Sequence, residues 1–213
     1  MNISNGLINC GKYMLNNNLA WGTSGNISSR VDDKTMLITA SGTFMGDLKE
    51  EDFVLFDLKS EKNLSERKAS KETPMHTGIY NNRSDVQAVI HSSPFYTTLF
   101  ACSKEPILSN LFIENFYYLE NIGYVDYFHP GTRDLGEAIA EEAKKSDVIM
   151  MRNHGVVVMD TSLSEALMRL ETLEMTCRMI LTAKSSGVEL HSLPDYKVTE
   201  FLEESLYKPR VKR

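Results

Sequence analysis

With 213 residues, 42% of them hydrophobic and 24% charged, the chain has the length and balance of one soluble domain able to bury a core without disulfide or metal staples. A formal net charge of -6 excludes a broad basic surface, and with it a general nucleic-acid binder, while leaving room for a local positive site. Met1 to Gly6 is polar and no apolar run approaches the length of a membrane span, so a cytoplasmic protein is expected.

In chain order, Ile3 to Asn17 carries apolar positions at Ile3, Leu7, Ile8 and Leu15 and runs into Asn16-Asn17-Asn18, a helix with a stop signal. Asn26 to Arg30 and Met36 to Thr39 flank Asp32-Asp33-Lys34, two strands around a hairpin turn, and Phe53 to Phe56 is a further strand. Asn63 to Lys71 is polar and charged, a surface loop leading into a helix at Thr73-Pro74, where proline at the first helical position needs no N–H. Val86 to Ile90 is an apolar run closed by His91, and a helix follows from about Pro94 to Cys102. Asp147 to Arg152 and Gly155 to Asp160 read as strands meeting at Asn153-His154. The last long helix opens on Ser162 and Glu165, a capping box, and carries Leu163, Ala166, Leu167, Leu170, Leu173, Cys177, Ile180 and Leu181 as a wide apolar stripe before Gly187. Cys10, Cys102 and Cys177 fall in helix-like segments and are read as buried small hydrophobes. Hairpins mixed with helical connections predict a mixed sheet covered by helices, within one domain spanning residues 1–213; the basic end from Tyr207 to Arg213 is predicted to be a mobile tail.

Chemistry concentrates in a few places. His91 and His154 stand at the ends of strand-like runs, where a fixed backbone can hold an imidazole toward a metal; taken singly, each is also a plain hydrogen-bonded histidine. Glu72 precedes a helix start, where the positive end of the dipole favours a carboxylate, whether for proton transfer or only for the helix itself. Gly22-Thr23-Ser24-Gly25-Asn26, Ser41-Gly42 and Ser70 are small-residue turns whose N–H groups can reach an anion, or simple turns.

Five words set these residues in one frame: Gly22-Thr23-Ser24-Gly25-Asn26-Ile27-Ser28, Thr39-Ala40-Ser41-Gly42, Ser70-Lys71-Glu72-Thr73-Pro74-Met75-His76, His91-Ser92-Ser93-Pro94 continuing to Phe100-Ala101, and Arg152-Asn153-His154-Gly155. In that order, from about Leu7 to about Ser186, the chain resembles the class II aldolase/adducin family, which includes sugar-phosphate aldolases and ribulose-phosphate 4-epimerases. The resemblance implies a three-layer α/β/α sandwich around a largely antiparallel sheet, assembled as a homotetramer. It also implies one divalent metal ion per subunit, manganese or zinc, on Glu72, His91 and His154, with Glu72 moving protons at an ene-diolate carbon. It places the substrate phosphate on Gly25, Asn26, Ser41, Gly42, Ser70 and Lys71.

Two positions depart from the aldolase pattern. Lys71 stands where those enzymes commonly carry a second serine, and Ser93 stands where the His-x-His motif has its second histidine. With Ser93 a poor ligand for zinc, Glu72 completes a two-histidine, one-carboxylate site, or His129 or His76 fills in, or metal affinity is weakened. Tyr117, Tyr118 and Tyr207 are candidates for the proton donor to the leaving aldehyde. The expected function is a metal-dependent aldolase that splits a ketose 1-phosphate into dihydroxyacetone phosphate and a short aldehyde, with neither nucleic acid nor membrane as a partner. The alternatives are a 4-epimerase, a decarboxylase on the same fold, or a non-catalytic adducin-like binding domain.

Overall fold

Strand-forming residues alternate on both sides of this chain's central segments, and that alternation builds a sheet with two buried faces. In the computed structural model, which describes residues 2–204 and 207–208, Ala88 and Ile90 of β5 (Ala88–Ser92) enter one core while Val89 enters the other. The same split divides Val148 and Met150 from Ile149 and Met151 in β7 (Val148–Met151), and Val156 and Val158 from Val157 and Met159 in β8 (Gly155–Asp160). Side chains on a strand alternate between faces, so an unbroken apolar run marks a strand covered on both.

The remaining strands are β1 (Asn26–Arg30), β2 (Thr35–Thr39), β3 (Phe53–Asp57), β4 (Lys62–Asn63) and β6 (Ile122–Val125). They form one eight-stranded sheet in the order β4-β3-β2-β1-β5-β8-β7-β6, antiparallel throughout except for the parallel β6–β7 pair. On one face lie α1 (Ile3–Asn16), α3 (Phe95–Ala101), α4 (Ile113–Tyr118) and α6 (Leu163–Ser186); α2 (Thr73–Asn82) packs against α5 (Arg133–Glu142) on the other. A seventh helix, α7 (Asp195–Glu204), has no buried residue. The architecture is the expected α/β/α sandwich around a largely antiparallel mixed sheet.

Several local readings change in detail. The buried stripe of α1 runs through Leu7, Cys10, Gly11 and Met14, while Leu15 is exposed; a Cβ on Gly11 would meet the Met45 carbonyl oxygen at 2.3 Å, so glycine lets the 45–47 turn pack on the helix. Cys10 and Cys177 are buried, but Cys102 is exposed, because it caps the C-terminus of α3 outside the core. Ser162 accepts from the Glu165 N–H as a capping box requires, yet the Glu165 carboxylate does not return to the cap; it binds the Tyr118 hydroxyl and Lys208. Tyr207 donates to Glu114, so the first two positions of the anticipated tail lie on α4 and α6; residues 209–213 of that tail lie outside the described residues. Among the described residues no helix is long and apolar enough to cross a membrane.

Candidate active site

Register brings the polar residues together. In the β1–β5 pair Asn26 is opposite His91, and on the other side of β5 His91 is opposite Val157. The β7–β8 connection turns at Asn153, in the left-handed region at φ 56°, which asparagine tolerates better than most residues, and this tight turn presents His154 beside His91. The two imidazole rings lie edge to face with centroids 4.9 Å apart. Glu72 is the residue immediately before α2; its side chain makes no capping bond and instead faces the two histidines.

The geometry is that of a ligand set. Glu72 Oε2 is 3.1 Å from His91 Nε2, Glu72 Oε1 is 3.1 Å from His154 Nε2, and one donor atom of each residue lies within 4.8 Å of the others. His91 Nδ1 is 2.9 Å from the Val156 carbonyl oxygen, which can only accept, so that nitrogen carries the proton and a neutral ring turns the lone pair of Nε2 toward the carboxylate. Burial, outweighing Glu72, holds His91 below its ordinary range. Burial opposes ionisation of Glu72, but the facing His91 and His154 and the Asn26 amide prevail and bring its carboxyl down to about 2. Glu72 Oε1 and His154 Nδ1 are both buried without a hydrogen-bond partner. With both rings neutral, as metal binding requires, this carboxylate and the two imidazole nitrogens facing it could hold a divalent cation, and two nitrogens with one carboxylate suit zinc or manganese.

The other histidines are elsewhere. His76 is completely buried, with Nδ1 2.7 Å from Ser28 Oγ and Nε2 2.5 Å from Asn26 Oδ1. His129 is exposed and its Nδ1 lies 3.1 Å from the Tyr127 hydroxyl. The Ser93 hydroxyl donates to the His154 carbonyl at 3.2 Å, and Ser93 lines the cleft beside the cluster.

Above the cluster opens a cleft of about 550 Å³ lined by the small-residue turns Thr23 to Asn26 and Ala40 to Thr43, by Ser70 and Lys71, and by Glu72, His91 and His154. Gly25 is at φ 91°, and a Cβ there would meet the His91 carbonyl oxygen at 2.7 Å; only glycine lets this loop cross β5. The Ser41 and Ser70 N–H groups are given to the Lys68 and Thr39 carbonyls, which leaves their hydroxyls as the donors. The Asn26 amide donates to Glu72 at 2.8 Å, so an anion in the cleft would compete with Glu72 for it. Lys71 is an exposed cation on the cleft wall. Trp21, Thr98 and Pro130 also line the cleft and escaped sequence reasoning; the only available signal was Trp21, the single tryptophan of the chain, next to the first glycine turn. Tyr117, Tyr118 and Tyr207 gather away from the cleft wall, with Tyr117 ring centroids 4.9 Å from Tyr118 and 5.4 Å from Tyr207.

Residues 5–181 match the class II aldolase and adducin N-terminal domain. The chain belongs to this family. It is 35% identical over 160 residues to the L-fuculose phosphate aldolase of Methanocaldococcus jannaschii, covering 75% of this chain and 85% of that one. It is 32% identical over 179 residues to the 3-oxo-tetronate 4-phosphate decarboxylase of Pectobacterium atrosepticum, covering 82% and 81%. A crystallised L-fuculose 1-phosphate aldolase superposes with a TM-score of 0.83 at 28% identity over 95% of both chains. The relatives named here are an aldolase and a decarboxylase, both acting on phosphorylated substrates by their names.

Proposed function

We propose that the protein is a metal-dependent lyase of phosphorylated sugars, cleaving a ketose 1-phosphate into dihydroxyacetone phosphate and a short aldehyde. The observation that carries this reading is the convergence of Glu72, His91 and His154 at the floor of a cleft walled by three small-residue turns. Glu72, His91 and His154 would hold the cation, which when bound supplies positive charge to the substrate oxygens on which electron density develops. The Ser41 and Ser70 hydroxyls, with the backbone at Gly25 and Gly42, orient the phosphate, and Lys71 adds a point charge. As the bond breaks, the proton of the hydroxyl that becomes the aldehyde oxygen is released, and Glu72, ionised at rest, takes up a proton and delivers it to the carbon that loses its bond partner. The reading is supported by the aldolase relatives and is tested by release of dihydroxyacetone phosphate from a panel of ketose 1-phosphates, alongside the metal content of the purified protein. Turnover of one of them with metal bound supports it; metal without any release counts against it.

A second reading, decarboxylation of a phosphorylated 3-oxo acid, is favoured by Lys71. Such a substrate carries a carboxylate as well as a phosphate, and a cation beside Glu72 offsets the additional negative charge. Carbon dioxide release from 3-oxo-tetronate 4-phosphate, with no dihydroxyacetone phosphate from any ketose phosphate, selects this reading over the first.

A further inference from the structure

Behind the cleft a seam of polar side chains runs between α2 and β1, and none of it touches the cleft except at its first members. Glu72, His76 and Tyr80 are spaced four apart and share one face of the helix; Asn26, Ser28 and Arg30 are spaced two apart and share one face of the strand. Four helical residues rise about 6 Å and two strand residues about 6.6 Å, so the two series stay in step. Asn26 Nδ2 donates to Glu72 Oε2 at 2.8 Å, and His76 bridges Asn26 Oδ1 and Ser28 Oγ. Ser28 Oγ is 3.0 Å from the Tyr80 hydroxyl, and the Arg30 guanidinium lies over the Tyr80 ring, 4.8 Å from its centroid, while donating to the Tyr80 carbonyl at 2.8 Å. His76 and Ser28 are fully buried, and Tyr80 and Asn26 nearly so.

The proton positions follow from which atoms can only accept. The Glu72 carboxylate takes the Asn26 N–H, which turns Asn26 Oδ1 away toward His76. That oxygen can only accept, so His76 carries its proton on Nε2; its Nδ1 is then an acceptor and receives the Ser28 hydroxyl, and Tyr80 donates to Ser28 in turn. Each link has a single direction. The chain holds Glu72 by Oε2 and leaves Oε1 turned toward His154 Nε2, 3.1 Å away.

We propose that His76 is a positioning residue for Glu72: through Asn26 it fixes the carboxylate so that Oε1 stays turned toward His154 and the cation site. This rests on the reading of Glu72, His91 and His154 as a metal-holding, proton-transferring site. Partners one bond removed from a ligand set its orientation, and their loss typically lowers metal affinity or activity by about 10- to 100-fold. In His76→Leu the Asn26 amide loses the acceptor-side anchor and is free to turn its oxygen toward Glu72. In His76→Gln one N–H donor and one carbonyl acceptor are retained, so both neighbours can still be served.

The experiment compares wild type, His76→Leu, His76→Gln and Ser28→Ala. The readouts are zinc or manganese retention against a chelator, kcat and KM for the phosphorylated substrate, and the ¹⁵N imidazole spectrum of His76. The expected results are a neutral Nε2–H tautomer in wild type, and roughly 10- to 100-fold losses of metal retention and kcat in His76→Leu with KM within about twofold. His76→Gln is expected to recover most of both. Wild-type retention and kcat in a folded His76→Leu overturn the proposal, as does an Nδ1–H tautomer in wild type. Should His76→Leu fail to fold, Ser28→Ala decides: the imidazole loses the hydroxyl that holds its Nδ1 and is kept in place only through Asn26, so metal retention and kcat are expected to fall several-fold with the Nε2–H tautomer unchanged, and unchanged retention and kcat overturn the proposal too. The tautomer is read without turnover, so failure of the relay is distinguishable from failure of the lyase reading, which shows instead as a wild-type protein that neither retains metal nor turns over substrate.

Discussion

Glu72 was marked by its place before a helix, but its hydrogen bond to Asn26 was not, because Asn26 lies 46 positions away and meets it only across the β1–α2 packing. Glu72→Gln is expected to keep the fold and lower turnover by at least about a hundredfold, since it removes the proton-transferring group while keeping the shape; near wild-type rates in a steady-state assay would remove Glu72 from the mechanism. His91→Ala and His154→Ala should each lose metal on dialysis. At Ser93, whose hydroxyl is turned to the His154 carbonyl, Ser93→His should tighten zinc retention against a chelator by adding an imidazole on the His91 side of the strand end; unchanged retention would mean that the new ring cannot reach the cluster. Acid stability follows from the buried histidine. Burial holds folded His76 at about 3 against an ordinary 6.5, so the unfolded chain takes up a proton that the folded chain refuses. Its contribution is therefore complete above pH 6.5 and is lost progressively as pH falls toward 3, and Glu72 adds a loss between its ordinary 4.5 and about 2. Chelated protein should melt at steadily lower temperature from pH 6.5 downward, and His76→Gln should flatten the curve between 6.5 and 4.5.

At the scale of elements, apolar runs and the long apolar stripe were legible and segments lacking them were not. The stripe of α6 and the unbroken apolar runs of β7 and β8 announce themselves, whereas α4 and β6, the latter with Gly123 and Tyr124 among its four residues, show no comparable pattern. The helix α5 buries only Leu135, Gly136 and Ile139 among its inner positions, and α7 buries nothing, so neither carries a wide apolar stripe. Capping was split in the same way. Ser162 was visible as a local cap, but α3 starts at Pro94 with no side-chain cap of its own, and its first N–H groups are served by Glu174 of α6, which accepts from Tyr96 N, Thr97 N and Thr97 Oγ1 at 3.0, 2.7 and 2.7 Å. Glu174→Ala should cost about 1–3 kcal/mol in denaturant unfolding, the range for losing charge-assisted bonds to partly buried donors; an unchanged midpoint would show that water replaces the carboxylate. That element-to-element bond has no signature in a window of sequence.

For the whole molecule, the sandwich couples folding to metal binding at the proposed site, because the proposed ligands come from β5, the β7–β8 turn and the residue before α2. Zinc or manganese at about a hundred times its dissociation constant should stabilise the protein by about 2.7 kcal/mol, seen as a raised melting temperature that His91→Ala does not show. The lone Trp21 on the cleft wall gives an independent signal, a change of emission when substrate phosphate is added. Residue chemistry and local periodicity by themselves marked the runs of the central strands, the long helix and the small-residue turns, while the family resemblance singled out Glu72, His91 and His154 as a candidate ligand set. These are properties of neighbours in the chain, and short-range patterns carry them. Only the tertiary structure decided that His76 serves Asn26 and not a metal, that Ser93 turns to a carbonyl, and that the tyrosines stand off the cleft. Those outcomes depend on strand register and on helix-to-sheet contacts between residues as much as 65 positions apart, such as His91 and Val156, which meet only when the sheet has closed.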